Sequence, residues 1–514
     1  MNETPRKIVR NTITNSISFF FLFVSSFFLV PFIVHSLGTE MYGGVWTIIG
    51  ALTAYIGLLD LGTGTAFVKY ISEYHTKGMM DDLLQVVNTG IIVYAFIGAI
   101  IAGLVFAFGG LLISLVGVPQ AIFSDARFVL HVAVCIFVVV GITSPLTSII
   151  SGIQRMEINL YVSLVTQTLA IVGTIFVLKS GYGVRGLIVN NFVVAVVNAL
   201  CLSVIAFRLV PSLKLHPRYF AFGKVKQFLR YGFNLQVSRI GQIILFQTDR
   251  IFSLRFFGAL VSTYYDVSAR LTSAARSSSF VILTALIPAI SEIDAKEDRE
   301  RLLTLYKRGT KYIAIVASFF FGFVAVFTPD ILFAWLGQGF ESSIIFVRLL
   351  AVGYFFNIVT GVASSMTAGL GKTELDRNYG LLVAVINICS TLLGALLLGP
   401  VGIALGTSLS LMLGAFYIFV AFHKAMDIST MQIAQIFVKP MLICIGASFI
   451  AQLVIHVIYP MSFSREGAIV SLLLAVILYL GIVVVALLLS KVFDGYDMSI
   501  VRSIVRRVVA SFQN

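Results

Sequence analysis

Long apolar runs follow one another along this chain with little between them. Fourteen are of a length to span a bilayer, which takes about 20 apolar residues. They lie near 13–36, 42–63, 86–114, 127–150, 158–179, 184–207, 228–255, 263–290, 310–336, 342–369, 378–398, 401–422, 434–459 and 467–490. Almost nothing remains for soluble domains, since the longest polar stretches are 208–227, 291–309 and 491–514. The pattern predicts an all-α polytopic membrane protein. The basic N-terminus runs into an apolar stretch that continues past signal-peptide length without a small-residue cleavage site, so no cleavable leader is expected.

The runs fall into two related halves. Ser151-Gly152-Ile153-Gln154-Arg155-Met156-Glu157 follows the fourth run, and Ala368-Gly369-Leu370-Gly371-Lys372-Thr373-Glu374 follows the tenth. Both read small-Gly-Ile/Leu-x-basic-x-Glu. The runs after them end in Gly183-Val184-Arg185-Gly186 and Gly399-Pro400-Val401-Gly402 at nearly the same offset. This predicts two six-helix lobes in parallel pseudo-twofold repeat, with two further helices appended. The expected boundaries are an N-lobe at 1–207, a cytoplasmic linker at 208–227, a C-lobe at 228–422, and helices thirteen and fourteen with a cytoplasmic tail at 423–514. Parallel repeats of this kind hold cargo between the halves near the midplane.

Composition agrees with a membrane solvent: 59% of residues are hydrophobic, 11% are charged and the mean hydropathy is +1.00. The net charge is +13. Of the 36 lysines and arginines, only Arg127, Lys179, Arg185, Arg255 and Arg465 fall in loops opposite the N-terminus. By the positive-inside rule both termini are expected in the cytoplasm of a cell whose inner membrane holds the chain. Basic loops beside anionic headgroups account for the net charge without nucleic acid. Cys135, Cys201, Cys389 and Cys444 all fall in apolar runs with no metal spacing, so neither metal nor cofactor is expected.

Charges inside the central runs change the picture. The seventh holds Arg239, Asp249, Arg250 and Arg255, and the eighth holds Asp266, Arg270 and Arg276. A charge in hydrocarbon costs at least about 2.5–3.5 kcal/mol, so such residues face a watery cavity or a partner. Ser238, Arg239, Gln242, Phe246, Asp249 and Ser253 recur at steps of three and four, one face of a helix. At 1.5 Å per residue Arg239 lies about 16 Å in, and Arg276 about 20 Å from the opposite surface. Two acids do not neutralise five bases, which predicts a net positive cavity for an anionic cargo. The alternative is that the arginines pair with Asp249 and Asp266 and join helices; Asp266 and Arg270, four apart, suit a local pair.

Further polar stripes occur in the tenth run (Asn357, Thr360, Ser364) and the fifth (Asn159, Ser163, Gln167). They suit sugar hydroxyls, or equally bonds across helices. Asp60 and Lys69 sit toward the cytoplasmic end of the second run. Asp60 suits a gate or a helix cap, and Lys69 suits an inner-leaflet phosphate or snorkelling to the interface.

Leu37-Gly38-Thr39-Glu40-Met41-Tyr42-Gly43, then Leu58-Leu59-Asp60-Leu61-Gly62-Thr63-Gly64, then Lys69-Tyr70-Ile71-Ser72-Glu73, resembles the N-terminal signature of bacterial polysaccharide transporters. These are the O-antigen-type flippases of the multidrug/oligosaccharidyl-lipid/polysaccharide exporter superfamily. Asp249-Arg250 before Phe256-Phe257-Gly258 is similar to the start of their second lobe, and Asp494-Gly495-Tyr496-Asp497 to their tail. The resemblance implies a flippase moving undecaprenyl-pyrophosphate-linked oligosaccharide from the inner to the outer leaflet by alternating access. It implies membrane lipids as surroundings, and a polysaccharide polymerase or glycosyltransferases as partners. In that light Arg239 and Arg276 are expected to clamp the pyrophosphate, since guanidinium forks match phosphate oxygens. Arg270, Gln242, Arg250 and Arg255 are expected beside them, and Asp60, Lys69, Asp249 and Asp266 in gating or ion pairs.

A multidrug or cation antiporter of the same fold is the main alternative. It needs an acidic pocket, yet the first run carries no acid. A membrane glycosyltransferase is not expected, because the outer loops are short. No Gly-x-x-x-x-Gly-Lys-Ser/Thr loop occurs that would cradle a nucleotide.

Overall fold

The computed structural model describes residues 25, 27–60, 63–458 and 464–499. Every regular element among them is helical. In chain order the α-helices of nine residues or more are α1 (Phe27–Leu37), α2 (Thr47–Ile56), α3 (Thr63–Thr76), α4 (Met80–Val116), α5 (Phe123–Gly152), α6 (Met156–Lys179), α7 (Gly183–Leu209), α8 (Phe222–Asp294), α9 (Arg299–Leu336), α10 (Ser343–Val359), α11 (Gly361–Gly369), α12 (Thr373–Leu398), α13 (Pro400–Met426), α14 (Thr430–Ile458) and α15 (Arg465–Leu489). Among the described residues ten helices are long and apolar enough to cross a membrane. Part of the expected first span lies outside them. The expected span near 42–63 is a π-helical turn, Tyr42–Trp46, running into α2. The expected spans near 228–255 and 263–290 are the two arms of α8.

Those arms meet at Gly258, where φ is 84° and ψ 177°. Only glycine adopts that conformation without strain. The sequence Phe256-Phe257-Gly258 therefore reverses the chain in one residue. Positions equidistant from Gly258, such as Arg250 and Asp266, are brought side by side.

The chain forms two compact units. The first comprises Met1–Asp266 with Ala384–Ile403, the second Val267–Val383 with Ala404–Asn514. In the first unit, Val45, Ile48, Ile113, Val129 and Leu130 form one core. Phe67, Ile71, Leu83, Val87 and Phe228 form another. Helix α6 turns Tyr161, Val165, Leu169, Val172 and Phe176 outward at helical spacing, the apolar stripe a bilayer requires. The segment after α7 is an ordered strap on α4. Asn88 donates to the Lys214 carbonyl (2.8 Å) and accepts from the His216 amide (2.8 Å), Thr89 accepts from the Ala221 amide, and Lys224 pairs with Asp82 at 2.6 Å.

In the second unit α9, α14 and α15 share a core of Phe327, Cys444, Ala447, Tyr479 and Val483. Asp298 caps α9 by accepting from the Arg301 amide (2.9 Å), and Ser464 caps α15 by accepting from the Gly467 amide (3.2 Å). The tail turn Asp494–Asp497 closes on itself, each carboxylate accepting the other residue's amide, and Asp497 pairs with Lys311 at 2.5 Å. Burial opposes the charge on Asp497, but the bonds from Lys311, Tyr312 and the Asp494 amide outweigh it and hold the carboxyl down at about 2.

Candidate functional site

The N-terminal signature lies against the second arm of α8. Tyr42 is wholly buried and its hydroxyl donates to Asp266 at 2.7 Å. Thr263 donates to the Thr39 carbonyl (2.6 Å), and Ser262 to the Gly43 carbonyl (3.2 Å). A Cβ on Gly43 would lie 2.1 Å from the Ala259 carbonyl oxygen, which explains the glycine. The π-helical turn begins at this contact; such turns cluster where a helix is shaped for a local task.

Asp266 is fully buried and its carboxylate meets the Arg250 guanidinium at 2.8 Å. The first arm of α8 thus supplies a partner that local spacing did not indicate. Asp249, also buried, accepts from Tyr265 and from Thr391 at 3.4 Å. Tyr55 and Thr248 share a hydrogen bond beside it. These residues form the acidic cluster of the first unit.

Other expected site residues lie apart from it. Arg255 is exposed and packs on Gly117, the residue closing α4. Gln242 is exposed. Lys69 is exposed, with its ammonium 4.9 Å from the Tyr70 ring centre. Asn159 donates to Ser151 at 3.1 Å, Ser163 is exposed and Gln167 is half-buried. The side chains of Arg239 and Asp60 lie outside the described residues.

In the second unit Arg276 lies on the second arm of α8, 18 residues past Gly258 and so about 27 Å along the helix. Its Nε donates to Asn357 Oδ1 over a long 3.5 Å, and Asn357 donates to the Tyr379 hydroxyl at 2.6 Å. Ser364, two turns beyond Asn357, donates to Asp376 at 3.0 Å. Thr360 bonds back to the Phe356 carbonyl (2.9 Å). Arg276, Asn357, Ser364, Asp376 and Tyr379 are each half-buried, not sealed in a core. Arg270, also half-buried, lies one turn past Asp266. This stripe joins α8, α10, α11 and α12.

The sequence reading did not single out Tyr265, Tyr379, Asp376 or Thr391. A signal existed for the first, which adjoins Asp266, and for Tyr379, one turn past Asp376 on α12. Thr391 carried none, because its contact with Asp249 spans 142 residues. Among the described residues no group of three or more His, Cys, Asp or Glu is placed to hold a metal ion.

Residues 8–294, more than half of the chain, match the family described as Polysaccharide biosynthesis protein. A putative O-antigen transporter of Shigella flexneri is 23% identical over 381 residues, 72% of this chain and 86% of that one. The uncharacterized membrane protein EpsK of Bacillus subtilis (strain 168) is 21% identical over 417 residues, 79% of this chain and 81% of that one. Among solved structures, the lipid II flippase MurJ in an inward closed conformation aligns with a TM-score of 0.72, at 15% identity over 92% of this chain and 98% of that one. An inward-facing multidrug resistance transporter of the MATE family and MOP superfamily aligns at 0.71, with 17% identity over 79% of this chain and 94% of that one. At these identities the structural likenesses establish the fold.

Proposed function

From the premise that this multi-pass membrane chain belongs to the polysaccharide biosynthesis protein family, we propose that it is a flippase for undecaprenyl-pyrophosphate-linked oligosaccharide. Its spans are taken as fourteen, in two six-helix lobes with two appended helices. The anionic headgroup binds Arg239 and Arg276, and the lipid tail stays in the bilayer. The observation that carries the reading is the half-buried polar stripe of the second unit. There one guanidinium is followed along α10 and α11 by the half-buried Asn357 amide and Ser364 hydroxyl, with the buried Thr360 hydroxyl between them. A phosphate needs the first, and sugar hydroxyls need the others. Arg270 adds positive charge on the same helix arm as Arg276, and Asp249 and Asp266 tie the arms of α8.

Alternating access moves the headgroup across. In a cell with a negative interior, the membrane potential assists outward passage of an anion by about 2.3 kcal/mol per charge per 100 mV. Both termini are placed in the cytoplasm and the cargo leaves on the far side, where a polymerase or glycosyltransferase consumes it.

A cation antiporter is the second reading, and its supporting observation is Asp249, a buried carboxylate with hydroxyl donors. The discriminating experiment uses proteoliposomes carrying fluorescent undecaprenyl-pyrophosphate oligosaccharide, with and without a lipophilic drug cation. Lipid exchange between leaflets that the cation does not inhibit supports the flippase. Cation efflux driven by a pH or sodium gradient, with no lipid exchange, replaces it with the antiporter.

A further inference from the structure

A cleft of about 440 Å³ opens in the second unit between α9, α10 and α14. That is within the range of about 300–1,000 Å³ typical of small-ligand sites. Its floor is buried and apolar, including Phe321, Ala351 and Phe355. Its rim is exposed, with Val352 at 46% and Phe449 at 59%. In a bilayer, that rim faces lipid.

One charge lines the cleft, Arg348. It lies five residues into α10, about 7.5 Å from the start of the helix and so near headgroup depth. Its position has a cause in α9. Pro329 has no N–H to give the carbonyl of Ala325 four residues earlier, and the Nε of Arg348 donates to that carbonyl at 3.1 Å, beside the Thr328 hydroxyl at 3.3 Å. The proline thereby recruits one edge of the guanidinium and leaves the terminal N–H groups for another acceptor. Arg465 at the start of α15 donates to the Ala334 carbonyl (2.8 Å), which sets the end of α14 on the same side as the α9–α10 turn. Gln452, six residues before that end, therefore lines the cleft at the depth of Arg348. From this polar mouth the cleft runs past Val352 to Phe356 on α10, about 12 Å along the helix axis. An acyl chain in a bilayer lies in that direction.

We propose that this cleft is a binding site for an anionic phospholipid, with an acyl chain along Phe321, Ala351 and Phe355 and the phosphate on Arg348 and Gln452. The bound lipid fills the gap between α14 and the α9–α10 hairpin and acts as a fixed part of the transporter, apart from any cargo. The site does not depend on which headgroup is flipped, and its readout is lipid retention, not transport.

The test is native mass spectrometry of the delipidated full-length protein in detergent, titrated with phosphatidylglycerol. Wild type is expected to retain one molecule, and to bind diacylglycerol of the same chains about tenfold more weakly for want of the charge-assisted contact. Arg348→Gln is expected to weaken phosphatidylglycerol binding by about the same factor. Val352→Trp fills the mouth from its exposed side. It is expected to abolish retention with the arginine present and the melting temperature in lipid-free detergent unchanged. Equal retention by both variants, or equal binding of diacylglycerol, overturns the proposal. So does displacement of phosphatidylglycerol by an equal concentration of polyprenyl phosphate, which would make the cleft a cargo-tail site.

Discussion

The two units place charge in apolar surroundings in different ways. In the first, Tyr42, Asp249 and Asp266 are sealed: each is at most 1% exposed, and Gly43 lets the backbones meet so closely that no side chain fits. In the second, Arg276, Asn357, Asp376 and Tyr379 form a looser stripe, half-buried throughout, with a 3.5 Å contact at its head. A sealed polar cluster fixes structure, because removing one partner strands a buried charge. A half-buried stripe retains capacity for another molecule. The contrast teaches that membrane charges divide by burial, not by residue type, into those that build the hairpin and those that can meet cargo.

The largest effect expected is from Gly43→Leu. The new side chain has no room beside Ala259, and loss of folded material in size-exclusion chromatography of the detergent-solubilised protein is expected. A monodisperse, normally melting variant would break the claim that this seat is closed. Asp266→Ala comes next. It leaves Arg250 without this buried carboxylate, at a cost of about 3 kcal/mol, the low end for a buried pair because Arg250 is itself partly exposed. Thermal unfolding in detergent reads it, and Asp266→Ala with Arg250→Met should recover much of the loss.

A smaller effect sharpens the role of Pro329. Pro329→Ala restores the missing N–H, so Arg348→Gln should destabilise the alanine background less than the proline one, by about 1 kcal/mol in a double-mutant cycle. Additive effects would show that the guanidinium is not standing in for that N–H.

The smallest effect is at the tail. The folded carboxyl of Asp497 titrates near 2, below the usual value of about 3.9 for an unfolded Asp. Its contribution is therefore complete above about pH 4 and is lost as pH falls toward 2. Hydrogen exchange at Asp494–Asp497, taken relative to the intrinsic rate at each pH, should stay slow at pH 5 and quicken only near pH 2 to 3. Lys311→Ala should quicken it at pH 7. Exchange that is already fast at pH 5 in the wild type would contradict the assignment.

The apolar runs were legible because a bilayer demands about twenty apolar residues per span, a signal independent of neighbours. Helices α4 to α7 and α9 to α15 follow it closely. The signature around Gly38 to Gly43 was visible as a motif, but its purpose was not, because Ala259 and Asp266 lie more than 200 residues away. Asp266 drew attention to Arg270, four residues on. The Arg250 pairing became visible only once Gly258 reversed the chain. That the Ala325 carbonyl needs another donor was legible in principle from Pro329 alone, but that Arg348 would answer it beside Thr328 depended on how α10 packs on α9.

The most direct test of the central claim is leaflet exchange of fluorescent undecaprenyl-pyrophosphate oligosaccharide in proteoliposomes, comparing wild type with Arg276→Ala. The variant's melting temperature must show a stability loss no greater than about 1 kcal/mol, the scale of one hydrogen bond. The account predicts exchange by the wild type and its loss in the variant. Undiminished exchange by a normally folded Arg276→Ala would contradict it and make the half-buried stripe structural.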